Sequence, residues 1–506
     1  MLTATLLSSF LGVLIILLLP VRWGSAAKWI ALLSALTGLA CAVTAFRGYD
    51  LRPGAYPIQS MINLPWVNYP NIGFITGADG ISLVLILLTG IIALTGVLFS
   101  WNVTQQPRAF FALFLTIIGG VYGVFQSLDL FLFFVFYEIV IIPKYFLISN
   151  WGSTNREYGA MKLTMYSVAG SALILLVLLG LYVLAPDNTM NLLSLAKYKY
   201  PHEFQIWAFP VMFLGFGVLA GMWPFHTWAP TGHVAAPTAV SMLLAGVVMK
   251  LGSYGALRVA MTLFPYGLEQ WRMVIAVLAT IGLLYGALVA LAQRDLKFVV
   301  GYASINHMGF VLLGLMTLNT IGLSGAVLQM FSHGIIGGLL FAVVGRMIYD
   351  RTHTRDIGAL GRLGLAKALP FAAFTFVIAS AASMGMPGFS GFIAEISILL
   401  GAWKAFPVLL IFAAIGAVIT VAFTLRALQK SFFPARESAS QAPTTPEVEP
   451  HHPYAPISFP ERLGAVILMA ATVGIGLFPK ILMDPILRSF ESPQSLMHHL
   501  IREVTK

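Results

Sequence analysis

Three ionisable residues lie deep inside apolar stretches of this chain: Glu138 in FLFFVFYEIVII, Lys250 in MLLAGVVMKLGSYG and Glu395 in GFSGFIAEISILL. A charge at bilayer depth costs about 3 to more than 10 kcal/mol. Only 9% of the residues are charged, so these placements point to use rather than accident. Apolar surroundings disfavour the charged form of acids and bases alike, which brings both within reach of proton exchange near neutral pH. An acid, a base and an acid strung along one chain suit proton carriage. His226 and His233 flank a proline-rich interruption, and His307 (SINHMGF) and His333 (MFSHGIIGG) follow in later apolar stretches. Neutral imidazoles can bridge waters between charged sites. A lone helical histidine is more often a packed one, but several distributed between Lys250 and Glu395 favour a hydrated polar axis. None has metal-ligand spacing, and no metal site is expected. Lys144 follows Glu138 by six residues, roughly 9 Å along a helix axis and about 240° around it. The two residues therefore do not share a face, and Lys144 is expected to snorkel to the interface.

The elements that must position these groups are membrane helices. The chain has 506 residues, 58% of them hydrophobic, and a mean hydropathy of +0.88. Apolar runs of roughly 18 or more residues recur along it, each long enough to span a bilayer. We count about 14 candidate spans: 3–20, 26–47, 80–100, 109–127, 129–148, 161–184, 205–223, 234–258, 273–293, 297–317, 321–348, 367–403, 406–428 and 460–480. The fold class is an all-α polytopic membrane protein embedded in a lipid bilayer. The run from Leu2 to Pro20 lacks a basic start and a small-residue cleavage site, so it reads as a retained first helix rather than a signal peptide. Residues 48–79 and the Pro-rich stretch 431–458 read as extramembrane loops, and the tail after 480 as a mildly amphipathic surface segment.

Two spans look broken: GMWPFHTWAPTGH at 221–233 and SMGMPGFSGF at 383–392. Proline removes a backbone donor, glycine tolerates unusual dihedrals, and unwound backbone survives at membrane depth only where it is buried or lines a wet cavity. The breaks fall in the seventh and twelfth spans. Interruptions at matching places in two halves are the mark of an inverted-repeat transporter.

The net charge of +10 follows from basic residues in short loops, as the positive-inside rule expects, and calls for no nucleic-acid partner. Loops after odd-numbered spans carry roughly 15 Lys and Arg against roughly 11 on the other side. The densest cluster is Arg346, Arg351, Arg355, Arg362 and Lys367. This balance puts both termini on the lumenal or periplasmic side. Cys41 is the sole cysteine, which excludes disulfides and cysteine-ligated iron–sulfur or zinc sites within the chain. No Walker A motif, dinucleotide fingerprint or nucleophile elbow occurs in a suitable context. Energy for transport must come from an ion gradient or from a partner.

At these residues the chain resembles the antiporter-like subunit 4 family (NdhD/NuoM) of type I NAD(P)H–quinone oxidoreductases. The resemblance rests on AspGlyIleSer at 79–82, TrpAsnValThr at 101–104, Phe136–Tyr137–Glu138 with Pro143, and WPFHTWAP with His233. It continues through LLAGVVMKLGSYG, ArgAspLeuLys at 294–297, SINHMGF, SHGIIGGLLF, YDRTHTRD and MPGFSGFIAE. The phrases WNVT–QPR and HTRD look plastid- or cyanobacterial-like. The resemblance implies 14 helices with two inverted five-helix repeats, helices 4–8 and 9–13. That divides the chain into 1–104 (helices 1–3), 105–260 (first repeat), 261–430 (second repeat) and 431–506 (polar loop, helix 14 and tail).

It also implies roles. Glu138 would be the helix 5 glutamate at the uptake end, Lys250 the central lysine, His307 and His333 members of the polar axis, and Glu395 the exit-side glutamate. The chain itself would hold no cofactor: iron–sulfur clusters and quinone (plastoquinone in photosynthetic membranes) would belong to other membrane and peripheral subunits of the NDH-1 complex. The chain departs from the pattern at Leu219, where the family usually has a lysine partner for the helix 5 glutamate, and at Thr231–Gly232, where an acidic residue is usual. Lys144 is then a candidate compensating charge. Such departures suit a specialised paralogue. Variant subunits of this family occur in cyanobacterial CO2-uptake complexes, where proton transfer assists a carbonic-anhydrase-like partner. The shared core also fits a stand-alone or Mrp-type cation/proton antiporter, or a largely structural subunit with reduced conduction.

Overall fold

The protein is described by a computed structural model covering residues 1–498 except 53, 68–70, 186 and 434–453. Most of the Pro-rich stretch 431–458, and prolines 53 and 70 of the first loop, lie outside the described residues. Among the described residues, 12 helices are long and apolar enough to cross a membrane, and Leu2–Leu18 and Pro370–Ser383 are shorter apolar helices.

In chain order the helices are α1 (Leu2–Leu18), α2 (Val21–Arg47), α3 (Gly80–Phe99), α4 (Pro107–Gln126), α5 (Leu130–Trp151) and α6 (Arg156–Leu184). Then come α7a (His202–Ala220), α7b (Trp228–Ala235), α8 (Thr238–Met261), α9 (Pro265–Ala292), α10 (Leu296–Met316) and α11 (Thr320–Thr352). The series closes with α12a (Pro370–Ser383), α12b (Ser390–Ala405), α13 (Pro407–Phe432), α14 (Phe459–Leu477) and α15 (Lys480–Glu491).

Their starts follow from local chemistry. Asp79, Asp129, Asp295 and Asn319 each accept a backbone N–H at the head of α3, α5, α10 and α11, satisfying donors that have no intrahelical partner. Prolines open α4, α9, α12a and α13, where a missing N–H costs nothing. Ser458 and Glu461 form a reciprocal capping box at the start of α14.

Both expected breaks are present. The first runs from Gly221, at φ +80°, to Thr227; the second carries Gly385 at φ +67° and Gly388 at φ +95° around Pro387. Three further helices are irregular. α5 is interrupted after Ile139: Pro143 cannot donate to the Ile139 carbonyl, and its ring crowds that group. α8 contains two widened π turns, Leu244–Val248 and Ala256–Met261, on either side of Lys250, and α11 contains one at Ala342–Tyr349.

The core is built on α8 and α11, whose middle stretches are fully buried, with those of α3, α4 and α10 nearly so. α2, α6, α13 and α14 leave much of their apolar surface exposed, as expected of faces turned to lipid or to other membrane chains.

The 48–79 segment is more ordered than a loop. Gln59–Val67 (β1) and Ile72–Ala78 (β2) form an antiparallel hairpin with Asn63 opposite Ile75 and Leu64 opposite Phe74. Pro65 is tolerated because β1 is an edge strand. β2 lies against the α4–α5 turn, with Leu128 N–H donating to Ile75 O at 2.9 Å and Gly73 N–H to Asp129 Oδ2 at 3.2 Å. α15 caps the same side: its Leu482, Ile486 and Phe490 are buried, and Arg488 donates to the carbonyls of Arg52 and Ala55.

Candidate functional site: a buried polar line

Lys250 lies between the two π turns of α8 and is fully buried. The widened turn lets the Ala245 carbonyl accept from the lysine's own side chain. Lys250 Nζ also lies 2.8 Å from Nδ1 of His333 on α11. The His333 ring faces His307 of α10, with ring centroids 5.5 Å apart. His307 Nδ1 is 3.2 Å from Glu395 Oε1 on α12b, and its Nε2 is 3.2 Å from Ser383 Oγ at the end of α12a. Gln329 of α11 reaches both His307 and Glu395, at 3.2 and 3.3 Å. Four helical segments, α8, α11, α10 and α12b, thus bring Lys250, His333, His307 and Glu395 into one buried line.

Glu395 Oε1 and Gln329 Nε2 both lie 3.2 Å from His307 Nδ1, which can donate to the carboxylate or accept from the amide but not both at once, while Nε2 faces the Ser383 hydroxyl. Each imidazole in the line can take a proton on one nitrogen and release one from the other. The second break serves this site directly. A Cβ at Gly385 would stand 2.8 Å from Glu395 Oε2, so glycine there supplies both a left-handed turn and room for the carboxylate.

The uptake end is arranged differently. Glu138 is half-buried on α5, and its Oε1 has no partner among the described residues. Lys144 does not snorkel. It is fully buried, with Nζ 3.3 Å from Ser167 Oγ on α6. Glu138 and Lys144 lie on either side of the interruption after Ile139, and only the expected snorkelling of Lys144 is overturned. The two interact as charges without closing to an ion pair within 4.0 Å. Leu219 is a buried part of the α7a wall.

Two of the histidines stand off the line. His226 lies in the first break, against Tyr285 of α9 and within electrostatic reach of Lys162. His233 is fully buried on α7b, stacked on Phe341 at 4.7 Å, and interacts electrostatically with both Lys250 and Lys297. Lys297 escaped the sequence reading. It opens α10 immediately after the Asp295 cap, where a lysine looks like a loop charge, yet it is buried, with Nζ donating to Ala236 O at 2.8 Å and Val234 O at 3.4 Å. Arg258, also buried, pairs with Asp79 at 2.5 Å and ties α8 to α3.

Residues 127–420, more than half of the chain, match the model of the NADH:quinone oxidoreductase/Mrp antiporter transmembrane family. The chain belongs to that family. Within it, a NAD(P)H-quinone oxidoreductase chain 4 of Picosynechococcus is 36% identical over 494 residues, covering 95% of this chain and 89% of its own. A chain of respiratory complex I from Thermus thermophilus superimposes with a TM-score of 0.85 at 27% identity, covering 98% of this chain and all of its own. A chain of the Mrp complex from Dietzia shares the fold, with a TM-score of 0.82 at 20% identity over 99% of each chain. The family region runs from the start of α5 into α13 and contains the whole Lys250–His333–His307–Glu395 line together with Glu138.

Proposed function

We propose that this chain is the proton-translocating membrane subunit of a type I NAD(P)H- or ferredoxin–quinone oxidoreductase. It would sit in a cyanobacterial thylakoid or bacterial inner membrane with both termini on the lumenal or periplasmic side. The observation that carries this reading is the line from Lys250 through His333 and His307 to Glu395. Lys250 lies within hydrogen-bond reach of His333, and His307 of Glu395, with the two imidazoles facing one another at 5.5 Å.

Electrons would move in partner subunits that hold the iron–sulfur clusters and the quinone, and this chain would bind neither. Redox energy would arrive as a change of charge or hydration near Glu138. A unit charge placed about 10 Å away changes the energy of a buried group by roughly 1–2 kcal/mol at an effective dielectric of about 20, enough to shift a proton equilibrium about tenfold. The proton on Lys250 then moves to His333, through His307 to Glu395, and leaves beside the second break.

The test is to purify the complex through this chain, identify its subunits and measure quinone-driven proton uptake in proteoliposomes. Glu138→Ala is expected to assemble without pumping. A Glu138→Ala complex that pumps at the full ratio removes Glu138 from the coupling role. Isolation without quinone-reductase subunits favours a stand-alone or Mrp-type antiporter. Leu219 favours a narrower proposal, a specialised form of the complex dedicated to CO2 uptake, and a carbonic-anhydrase-like protein among the co-purifying subunits is the result that form requires. A subunit with reduced conduction predicts equal proton uptake with and without Glu138.

A further inference from the structure

A cavity of about 820 Å³ opens at the end of the bundle where α7a and α9 begin. No residue of the buried proton line takes part in it. Three segments wall it: residues 196–200 with the head of α7a, the α8–α9 turn, and residues 493–496 after α15. Its volume is that of a small-molecule site. Local contacts hold its shape. The His202 ring stacks on that of Tyr266 at 3.9 Å. The Gln205 amide spans the seam, donating to Tyr200 O at 2.9 Å and accepting from Tyr266 N–H at 3.0 Å. On the tail, the Ser495 hydroxyl accepts from Met497 N–H at 3.1 Å.

The charge in this cavity is unbalanced. Lys197 and Lys199 are exposed in its lining, and neither ammonium has a carboxylate within 4.0 Å among the described residues. Glu269, the one acid in the lining, lies 3.9 Å from Arg272. Apolar surface begins directly beneath. α7a and α9 both run into the membrane from this end, so Ile206, one turn on from His202, and Met273, one turn on from Glu269, lie a turn deeper on the same faces. Both are exposed, as are Trp207 and Val274 beside them. Trp271 Nε1 donates to Ile206 O at 2.8 Å and joins the two helices at that level. Indoles at this depth mark the boundary between headgroups and acyl chains.

We propose that this cavity seats the anionic headgroup of a membrane lipid, with Lys197 and Lys199 holding its negative charge and the acyl chains covering Ile206 and Met273. The apolar column is what distinguishes a lipid from other anions: a free anion leaves that column uncovered, whereas acyl chains lie along it. Each lysine strengthens the hold on an anionic headgroup about fivefold, and the pair about 30-fold. A lipid seated here touches the head of α7a, the start of α9 and the tail after α15 at once, and so splints three segments that are distant in sequence.

The test uses the whole complex, purified through this chain and placed in nanodiscs of phosphatidylcholine with or without phosphatidylglycerol. Lipid retained after transfer to detergent is counted by mass spectrometry, and the thermal midpoint is measured in the nanodiscs. Wild type is expected to retain phosphatidylglycerol and to melt higher with it. Lys197→Gln combined with Lys199→Gln is expected to weaken that retention about 30-fold, and Lys197→Arg combined with Lys199→Arg to restore it. Gln494→Trp fills the cavity from its rim, keeps both lysines and is expected to release the lipid as well. Wild-type retention in the double glutamine variant or in Gln494→Trp overturns the proposal. A thermal midpoint raised equally by inorganic phosphate in phosphatidylcholine alone overturns it in favour of a free anion. Loss of a co-purifying subunit from the double glutamine variant, with lipid retention unchanged, overturns it in favour of an acidic protein partner.

Discussion

Replacing His307 by glutamine removes the one group that joins His333 to Glu395 while keeping a polar side chain of similar reach. In the native line the His307 ring stands 5.5 Å from that of His333 and 3.2 Å from Glu395, so the step to Glu395 is a direct contact and the step from His333 is the longer one. Without the imidazole, the proton must cross from His333 to Glu395 with no titratable group between them. A well-placed proton carrier is worth about 10²–10⁴-fold in rate, or ~3–5 kcal/mol of barrier. The lower end applies here, because Gln329 still reaches Glu395 at 3.3 Å and can hold a bridging water. The packing cost is smaller. Contacts to Ser383 and Glu395 are lost, each worth about 1 kcal/mol, so the complex should still assemble. The assay is proton release resolved in time after a single quinone turnover in proteoliposomes, with subunit content measured in parallel. His307→Gln is expected to slow release about 100-fold and to lower the proton-to-quinone ratio at steady state. Release at the wild-type rate from a fully assembled His307→Gln complex would refute the claim that protons follow this line.

Further outcomes follow from other parts of the fold. Lys144→Met is expected to lower pumping and to shift the infrared carboxyl band of Glu138, because Lys144 is the cation whose charge reaches that carboxylate; no change in either removes Lys144 from a compensating role. Gly385→Ala should cost about 1–2 kcal/mol for its left-handed backbone and displace Glu395, read as reduced proton release with intact assembly. Asp79→Asn leaves Arg258 buried without its partner and should destabilise the subunit by about 3–5 kcal/mol, seen as a lower thermal midpoint that Asp79→Asn combined with Arg258→Met recovers in part.

The sequence displayed Lys250 and Glu395 because each interrupts a long apolar run, where a charge is costly. It displayed both breaks of α7 and α12 because proline and glycine punctuate them. It concealed Lys297, whose position just after an N-capping aspartate looks like the end of a loop; the burial comes from α7b folding across it. It also concealed the burial of Lys144, whose six-residue spacing from Glu138 suggested a snorkelling side chain. The hairpin at 59–78 was hidden by Pro65 within β1 and by its position in a Pro- and Gly-punctuated segment. His226 looked equivalent to His233 by its place beside the break, but the turn at Gly221 aims it at Tyr285, away from Lys250.

The most direct test of the central claim is the number of protons moved per quinone reduced by an assembled complex carrying Lys250→Ala. Lys250 is the group from which the buried line starts. The account predicts that Lys250→Ala removes this subunit's share of the protons and leaves the complex intact. A full wild-type ratio in that complex would contradict it.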